Sequence, residues 1–290
     1  MEGALAAIRT RVRVGAAIGG WSLGAPGPIR WFRVWAITAA FTALVVAEIT
    51  AVSLDYAVRN LDPGIDYDTL MGATRNLLGG NGFYPAYEVS GPWVYTLDQP
   101  PNGPPILYPP HALYLFIPFV FLPGFLWWAI PLSVLAWALW RLRPHPAAVL
   151  AILLVLGTPY AREDIFWGNP VMWMVAAEAA GFVLGWPAVL VLLKPSLGPF
   201  ALAGFPRRSW FVALAVLGLV NLPLLPMWAD WVAVIRNAHL GPDFSLHQFP
   251  LMAVPLIAWL GSRRGPLVHR LERARVERVA STAASAASVG

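Results

Sequence analysis

The chain has 290 residues, of which 58% are hydrophobic and only 12% are charged, and its net charge is +5. Soluble domains carry about 25% charged residues and have no core large enough to bury so much apolar surface, so disordered chains and single-core soluble enzymes are excluded. The sequence has no cysteine, which excludes disulfides, thiolate metal sites and a cysteine nucleophile. We therefore predict an all-α integral membrane protein, a polytopic bundle of transmembrane helices.

The first apolar run long enough to cross a bilayer spans 31–54, since a crossing needs about 20 apolar residues. The arginine-containing segment 1–30 before it is predicted to be cytosolic, and the run itself to be an uncleaved anchor. Later runs are shorter and interrupted by Pro and Gly, which indicates re-entrant or half-spanning pieces. These runs are 107–123, 124–140, 147–160, 170–184, 185–194, 196–206, 210–228 and 249–261.

The arginines determine the predicted topology. If 107–123 does not cross the bilayer, most of the 20 basic residues fall on one side of the membrane, whereas a crossing there would scatter them over both faces. The positive-inside rule then favours about eight crossings, with both termini cytosolic and 107–123 as a juxtamembrane or re-entrant hairpin. This bias also explains the basic charge without a nucleic-acid partner.

The membrane domain is predicted to cover 31–262 in the plasma membrane, with a large loop, 55–106, on the outer face. Residues 263–290 are predicted to form a basic amphipathic helix at the inner membrane surface, followed by a disordered tail. Most acidic residues fall on the outer face, so we expect the chemistry there.

An acidic motif, Asp62-Pro-Gly-Ile-Asp66-Tyr-Asp68, follows the first span. A carboxylate beside an apolar wall at the membrane surface can have a raised pKa and act as a general base, so Asp66 and Asp68 are candidate catalytic residues. The alternative is a solvated acidic loop in which an aspartate caps a helix over 69–78.

Lys194 is the only lysine, and it interrupts an apolar run directly before Pro195. Basic residues at membrane depth tend to pair with an anion or line a polar cavity, and a compact ammonium group suits a phosphate. The alternative is a lysine that extends from a helix end into solvent.

A short charged loop contains Arg162, Glu163, Asp164 and Asn169. Here Arg162 is a candidate phosphate ligand that Glu163 or Asp164 would orient, and Asn169 would cap the next helix or contact a sugar hydroxyl. An equally good interpretation is a loop whose charged side chains form ion pairs with one another and bind no ligand.

An aromatic and proline-rich stretch contains Tyr84-Pro85, Tyr95 and Tyr108-Pro109-Pro110-His111. They are either interfacial anchors or a stacking surface for a sugar. The five histidines show no metal-binding spacing, and no phosphate-binding loop or nucleophile motif is present.

Together these motifs resemble the bacterial polyprenyl-phosphate-dependent glycosyltransferases of the GT-C fold, of the GT87 type, which includes mycobacterial mannosyltransferases that extend phosphatidylinositol mannosides. The resemblance covers roughly residues 60–210. Gly168-Asn169-Pro170 stands where the family has Gly-Gln-x-Asn, which is a departure from its pattern. The other matching motifs are Asp66-Tyr67, Ala73-Thr74-Arg75-Asn76-Leu77-Leu78-Gly79, Tyr84, Tyr108-Pro109-Pro110, Leu122-Pro123, Lys194-Pro195 and Arg207-Arg208-Ser209-Trp210.

The resemblance implies that 31–262 is a GT-C-like catalytic domain. It would transfer a sugar, mannose by the same resemblance, from a polyprenyl-phosphate donor to a lipid or glycan acceptor on the outer face, with inversion and without a metal or other cofactor. Asp66 matches the family's base position, and Lys194 with Arg162 or Arg75 would hold the donor phosphate. The predicted substrate-binding residues are Tyr84, Tyr108, His111, Asp164 and Asn169.

Two other functions remain open at this point. A lipid or sugar transporter or flippase would place charges near the bilayer midplane, where only Glu48 and Glu178 fit. A reduced, non-catalytic family member would leave Asp66 and Lys194 without a shared site. The glycosyltransferase hypothesis requires these two side chains to lie together.

Overall fold

The computed structural model describes residues 63–91, 105–239 and 246–262. Throughout these ranges the chain forms helices and turns, without a β-strand, which confirms the predicted all-α class. All described residues belong to one compact unit, Ile49–Gly290, whereas a second unit, Met1–Glu48, lies wholly outside them. The predictions for 1–30, 31–54 and 263–290 also fall outside the described residues.

The helices are named here in chain order. The α-helices are α1 (Ile65–Leu78), α2 (Ala86–Ser90), α3 (Leu113–Phe121), α4 (Leu126–Leu142), α5 (Pro146–Leu156), α6 (Pro159–Phe166), α7 (Val171–Leu184), α8 (Arg208–Asn221), α9 (Met227–Asn237) and α10 (Phe249–Leu260). The 3₁₀ helices are η1 (Pro110–Ala112), η2 (Trp186–Leu193), η3 (Pro195–Gly204) and η4 (Leu222–Leu224).

Helix α1 begins earlier than the sequence predicted. It starts at Ile65, after Gly64 adopts φ +84°, a left-handed conformation that glycine tolerates best. Asp66 and Asp68 therefore lie in the first turn, where the helix dipole favours negative charge. The interpretation of an aspartate cap before a helix over 69–78 is wrong.

Lys194 lies between two unusually long 3₁₀ helices. It has an extended conformation (φ −129°, ψ 93°) between η2 and η3, which have 8 and 10 residues, although 3₁₀ runs rarely exceed four residues. At about 2.0 Å rise per residue neither is long enough to cross a bilayer of about 30 Å. The runs 185–194 and 196–206 are thus short pieces, as the sequence indicated.

In the ranges that the structure describes, no single helix is both long and apolar enough to cross a membrane. Two bent pairs have the required length and composition: Pro110–Phe121 with Leu126–Leu142, bent by 118°, and Arg208–Leu224 with Met227–Asn237, bent by 92°. The first bend follows Leu122-Pro123-Gly124, so the predicted hairpin 107–123 does not continue straight into 124–140.

Helix α7 is the centre of the described fold. It packs against α4, α10, η2 and η3, and its residues from Val171 to Gly181 are almost all buried. Rings of α3, α4 and α7 meet on one side of it, where Trp127 lies 5.5 Å from Trp173 and 5.0 Å from Phe119 between ring centroids. This aromatic cluster extends to Tyr67 of α1, whose ring centroid lies 5.6 Å from that of Trp127.

Candidate functional site

Four predicted site residues from four separate segments form one chain of hydrogen bonds. Asn169 Nδ2 donates to Asp66 Oδ2 over 2.7 Å, and Tyr108 Oη donates to Asn169 Oδ1 over 3.3 Å. Lys194 Nζ in turn donates to Tyr108 Oη over 3.3 Å. The candidate base and the candidate phosphate ligand are therefore linked through two neutral side chains, and we call these four residues the polar network.

The start of α1 is held against the turn between α6 and α7 by its backbone. Gly64 N donates to Phe166 O, and Asp66 N donates to Trp167 O, each over 3.0 Å. Asp66 is thus placed by main-chain bonds as well as by Asn169.

Two tryptophans of α4 also hydrogen-bond to the turn between α6 and α7. Trp127 Nε1 donates to Gly168 O and Trp128 Nε1 donates to Ile165 O, both over 2.7 Å. Gly168 has φ +71°, and a Cβ built there would lie 2.8 Å from Trp128 and 3.0 Å from Tyr67. The turn therefore requires glycine for its conformation and for the close approach of these rings.

We expect Gly168→Ala to lower the apparent melting temperature of the purified chain and to reduce whatever activity the polar network supports. A left-handed conformation costs a non-glycine residue about 1–2 kcal/mol, and the contact with Trp128 adds to this cost. Gly72→Ala is the matched control, because Gly72 lies within α1 with no atom within 4 Å of an added Cβ, so alanine should stabilise that helix by about 0.5–1 kcal/mol. Equal melting temperatures for the two variants would contradict this view of the turn.

Asn169 contacts both the start of α7 and the polar network. Its Oδ1 accepts from Val171 N, the first residue of α7, over 3.0 Å, while its Nδ2 donates to Asp66. The N-cap of α7 is Pro170, so Asn169 lies one residue before the capping position that the sequence predicted for it. The predicted contact with a sugar hydroxyl stays a prediction.

Tyr108 is buried, and its backbone carbonyl accepts a hydrogen bond from another predicted site residue. Tyr84 Oη donates to the Tyr108 carbonyl over 2.7 Å, and Trp231 Nε1 donates to the preceding Leu107 carbonyl over 3.0 Å. Tyr84 itself is only 6% exposed. In this structure its hydroxyl positions Tyr108, so the predicted direct role in substrate binding would require it to exchange this partner.

Lys194 is buried, with 8% of its surface exposed. This excludes a side chain extended into solvent, which was the alternative from the sequence. Among the described residues, no carboxylate oxygen lies within 4 Å of its ammonium group, and its described hydrogen bond is the one to Tyr108. Burial lowers the pKa of Lys194, against the opposing charges of Asp164 and Asp66, as expected for an ammonium group that lacks a direct counter-ion.

Burial dominates the electrostatics of both carboxylates near Lys194. It raises the pKa of Asp66, while the hydrogen bond from Asn169 and the charge of Lys194 act in the opposite direction. It also raises the pKa of Asp164, where Lys194 opposes the shift and Asp66 adds to it. A raised pKa makes a carboxylate a stronger base near neutral pH, which suits the predicted role of Asp66.

Asp164 is the most deeply buried of these acids, with 1% exposure. Its described ion pair is with His247, whose Nε2 lies 3.8 Å from Oδ1, and not with Arg162. Asp164 and Arg162 are two positions apart on α6, so their side chains leave the helix about 200° apart. The charged side chains of this loop therefore do not pair only with one another, which was the alternative interpretation of the sequence.

The remaining predicted residues have no described contact with the polar network. Asp68 and Arg75 are exposed on α1, and Arg75 lies about 14 Å along the helix axis from Asp66. His111 is buried, where Nε2 donates to Leu192 O over 3.0 Å and the ring stacks on Trp228. Arg162 is half-buried on α6.

Sequence reasoning left His247 and the two tryptophans of α4 out of the site. His247 follows Asp164 by 83 positions, and no local pattern signals that the two side chains meet. The pair Trp127-Trp128 was visible in the sequence, but its indole contacts with the turn depend on the bend before α4. Among the described residues, no three His, Asp or Glu side chains form a metal-ligand group.

Comparison with known proteins adds no assignment to this geometry. No family model, no curated protein and no solved structure matches the chain.

Proposed function

We propose that this protein is a membrane-embedded glycosyltransferase with a GT-C-like arrangement. It transfers a sugar, mannose by the resemblance of its motifs to the GT87 type, from a polyprenyl-phosphate donor to a lipid or glycan acceptor. The reaction takes place at the outer face of the plasma membrane, inverts the anomeric carbon and uses no metal. The observation that supports this most strongly is that Asp66 and Lys194 belong to one hydrogen-bonded polar network.

The chemistry assigns a separate task to each end of the network. Asp66 removes the proton of the acceptor hydroxyl as its oxygen bonds to the anomeric carbon. The bond from that carbon to the phosphate oxygen breaks on the opposite face of the sugar, and its electron pair stays on the phosphate. The phosphate gains one negative charge, which the Lys194 ammonium stabilises in a buried setting where such interactions are strong.

A lysine is sufficient for this leaving group because a lipid monophosphate carries less charge than the diphosphate of a nucleotide. Tyr108 and Asn169 separate Lys194 from Asp66, so the ammonium is not neutralised by direct contact with the base. This separation keeps a cation available for the donor and a carboxylate available for the acceptor.

Surface composition supports placement in a membrane. Helices α5 and α8 expose large apolar side chains, including Leu154 at 70% and Leu219 at 64%, and extended apolar surface of this kind is rare in soluble monomers. The two bent apolar pairs have the length and composition for crossing.

The proposed function is tested by incubating the purified chain in lipid nanodiscs with a polyprenyl-phosphate mannose, a lipid acceptor and EDTA. We expect labelled sugar to move to the acceptor, and we expect no transfer from a nucleotide mannose. Transfer only from the nucleotide donor, or transfer that EDTA abolishes, would contradict the proposal.

The proposed orientation predicts which cysteines an impermeant reagent can reach in intact cells. Because the chain has no cysteine, single substitutions report without background, and Asp68 and Arg141 are both exposed sites. We expect the reagent to label Asp68→Cys from outside and to label Arg141→Cys only after the membrane is permeabilised. The reverse pattern would place the polar network on the cytosolic side.

A further inference from the structure

Asp164 has a buried carboxyl group in which one oxygen makes no described hydrogen bond. It is 1% exposed, and its Oδ2 has no hydrogen-bond partner among the described residues. Its one described ion-pair contact is with His247, whose Nε2 lies 3.8 Å from Oδ1, which is too long for a hydrogen bond. A buried ionised oxygen without a partner is costly, and protonation removes most of that cost.

More negative than positive charge acts on Asp164. Lys194 supplies one ammonium group, whereas Asp66 and Glu163 add negative charge, and His247 is half-buried at the edge of the group. The hydroxyl of Tyr108 is the remaining titratable neighbour. If both aspartates stayed ionised, an incoming phosphate would meet more negative than positive charge. A proton held by one carboxyl group relieves this, and Asp164 is more buried than Asp66.

We propose that Asp164 carries a proton while the site holds the donor phosphate and that its carboxylic O–H donates a hydrogen bond to this phosphate. This inference rests on the proposed function, in which Lys194 binds the same group. Asp164 keeps its proton throughout the reaction, while Asp66 accepts the proton of the acceptor. The two aspartates thus act in opposite states, one as hydrogen-bond donor and one as base.

The direct test is proton uptake on binding of a short-chain polyprenyl monophosphate to the full chain in nanodiscs. Calorimetry in two buffers of different ionisation enthalpy measures this uptake. We expect the wild type to take up as much as one proton per bound phosphate and to lose affinity as the pH rises. The unphosphorylated polyprenol should give no uptake.

Variants at position 164 distinguish a hydrogen-bond donor from a fixed charge. Asp164→Asn keeps an N–H donor that does not titrate, so affinity should be retained, and the part of the proton uptake that the Asp164 carboxyl group supplies should vanish. Asp164→Ala removes the donor and should weaken binding by about 10–100-fold. Asp230→Asn is the matched control, because Asp230 is exposed on α9, and it should behave as the wild type.

Three results would overturn the inference. These are unchanged proton uptake in Asp164→Asn, tighter binding by Asp164→Asn than by the wild type at every pH, and uptake that disappears only in His247→Gln. The second result would show that Asp164 repels the phosphate as an anion.

Infrared spectroscopy separates this inference from the proposed function. At mildly acidic pH we expect the C=O stretch of a protonated carboxyl group in the wild type and its loss in Asp164→Asn. If this signal is present but no polyprenyl monophosphate binds, the proposed function fails while the protonation of Asp164 stands. If the wild type lacks the signal, the inference fails.

Discussion

Asp66→Asn is expected to lower the rate of sugar transfer by about 10²–10⁴-fold, the usual effect of losing a general base, while donor binding is retained. The structure explains why the fold should tolerate this change. The Asn169 amide that donates to Asp66 Oδ2 can donate equally to the oxygen of an asparagine amide. The loss would therefore lie in proton transfer and would appear in kcat rather than in donor affinity.

Asp230→Asn serves as the control for this experiment, because it makes the same substitution at an exposed position outside the polar network. Asp68→Asn examines the other carboxylate predicted as a base, which is exposed on the same turn of α1. Full activity in Asp66→Asn together with a large loss in Asp68→Asn would transfer the base role to Asp68.

Lys194→Met is expected to weaken binding of the polyprenyl-phosphate donor by about 10–150-fold, the range for losing a hydrogen bond to a charged group. It should also slow the chemical step by about 10²–10³-fold, because charge grows on the phosphate as the bond breaks. Methionine fills nearly the same volume in this buried position, so the fold should survive. Donor affinity by calorimetry and single-turnover transfer measure the two effects separately.

Arg236→Met is the control for removal of a cation, since Arg236 is exposed on α9. Lys194→Arg should restore part of the donor affinity, although the planar guanidinium fits a compact site poorly. If Lys194→Met left affinity intact and Arg75→Met abolished it, the phosphate site would lie at the far end of α1.

The sequence predicted the members of the polar network better than their contacts. Lys194 stood out because a charge in an apolar run needs a partner, and Asp66 because it follows the first apolar run in an acidic motif. Asp66 and Asn169 are 103 positions apart, however, and their contact depends on how the start of α1 docks on the turn after α6. No local pattern encodes that docking.

The structure differs from the sequence predictions at several residues, each for its own physical reason. The start of α1 was placed too late because a left-handed glycine, and not an aspartate side chain, begins the helix. Arg75 was grouped with Lys194 by sequence motif, but helix geometry places it at the opposite end of α1 from Asp66. Tyr84 and His111 were grouped by their aromatic character, and both hydrogen-bond to backbone carbonyls beside the site.

The most direct test of the whole account is a single-turnover experiment with labelled polyprenyl-phosphate mannose pre-bound to the full chain in EDTA. We predict that the wild type moves the label to the lipid acceptor in one turnover. Asp66→Asn should retain the label on bound donor, and Lys194→Met should bind the donor about 10–150-fold more weakly and transfer it more slowly. If the wild type transferred no sugar from this donor, or if all three proteins transferred it equally, Asp66 and Lys194 would not form the active site of a glycosyltransferase.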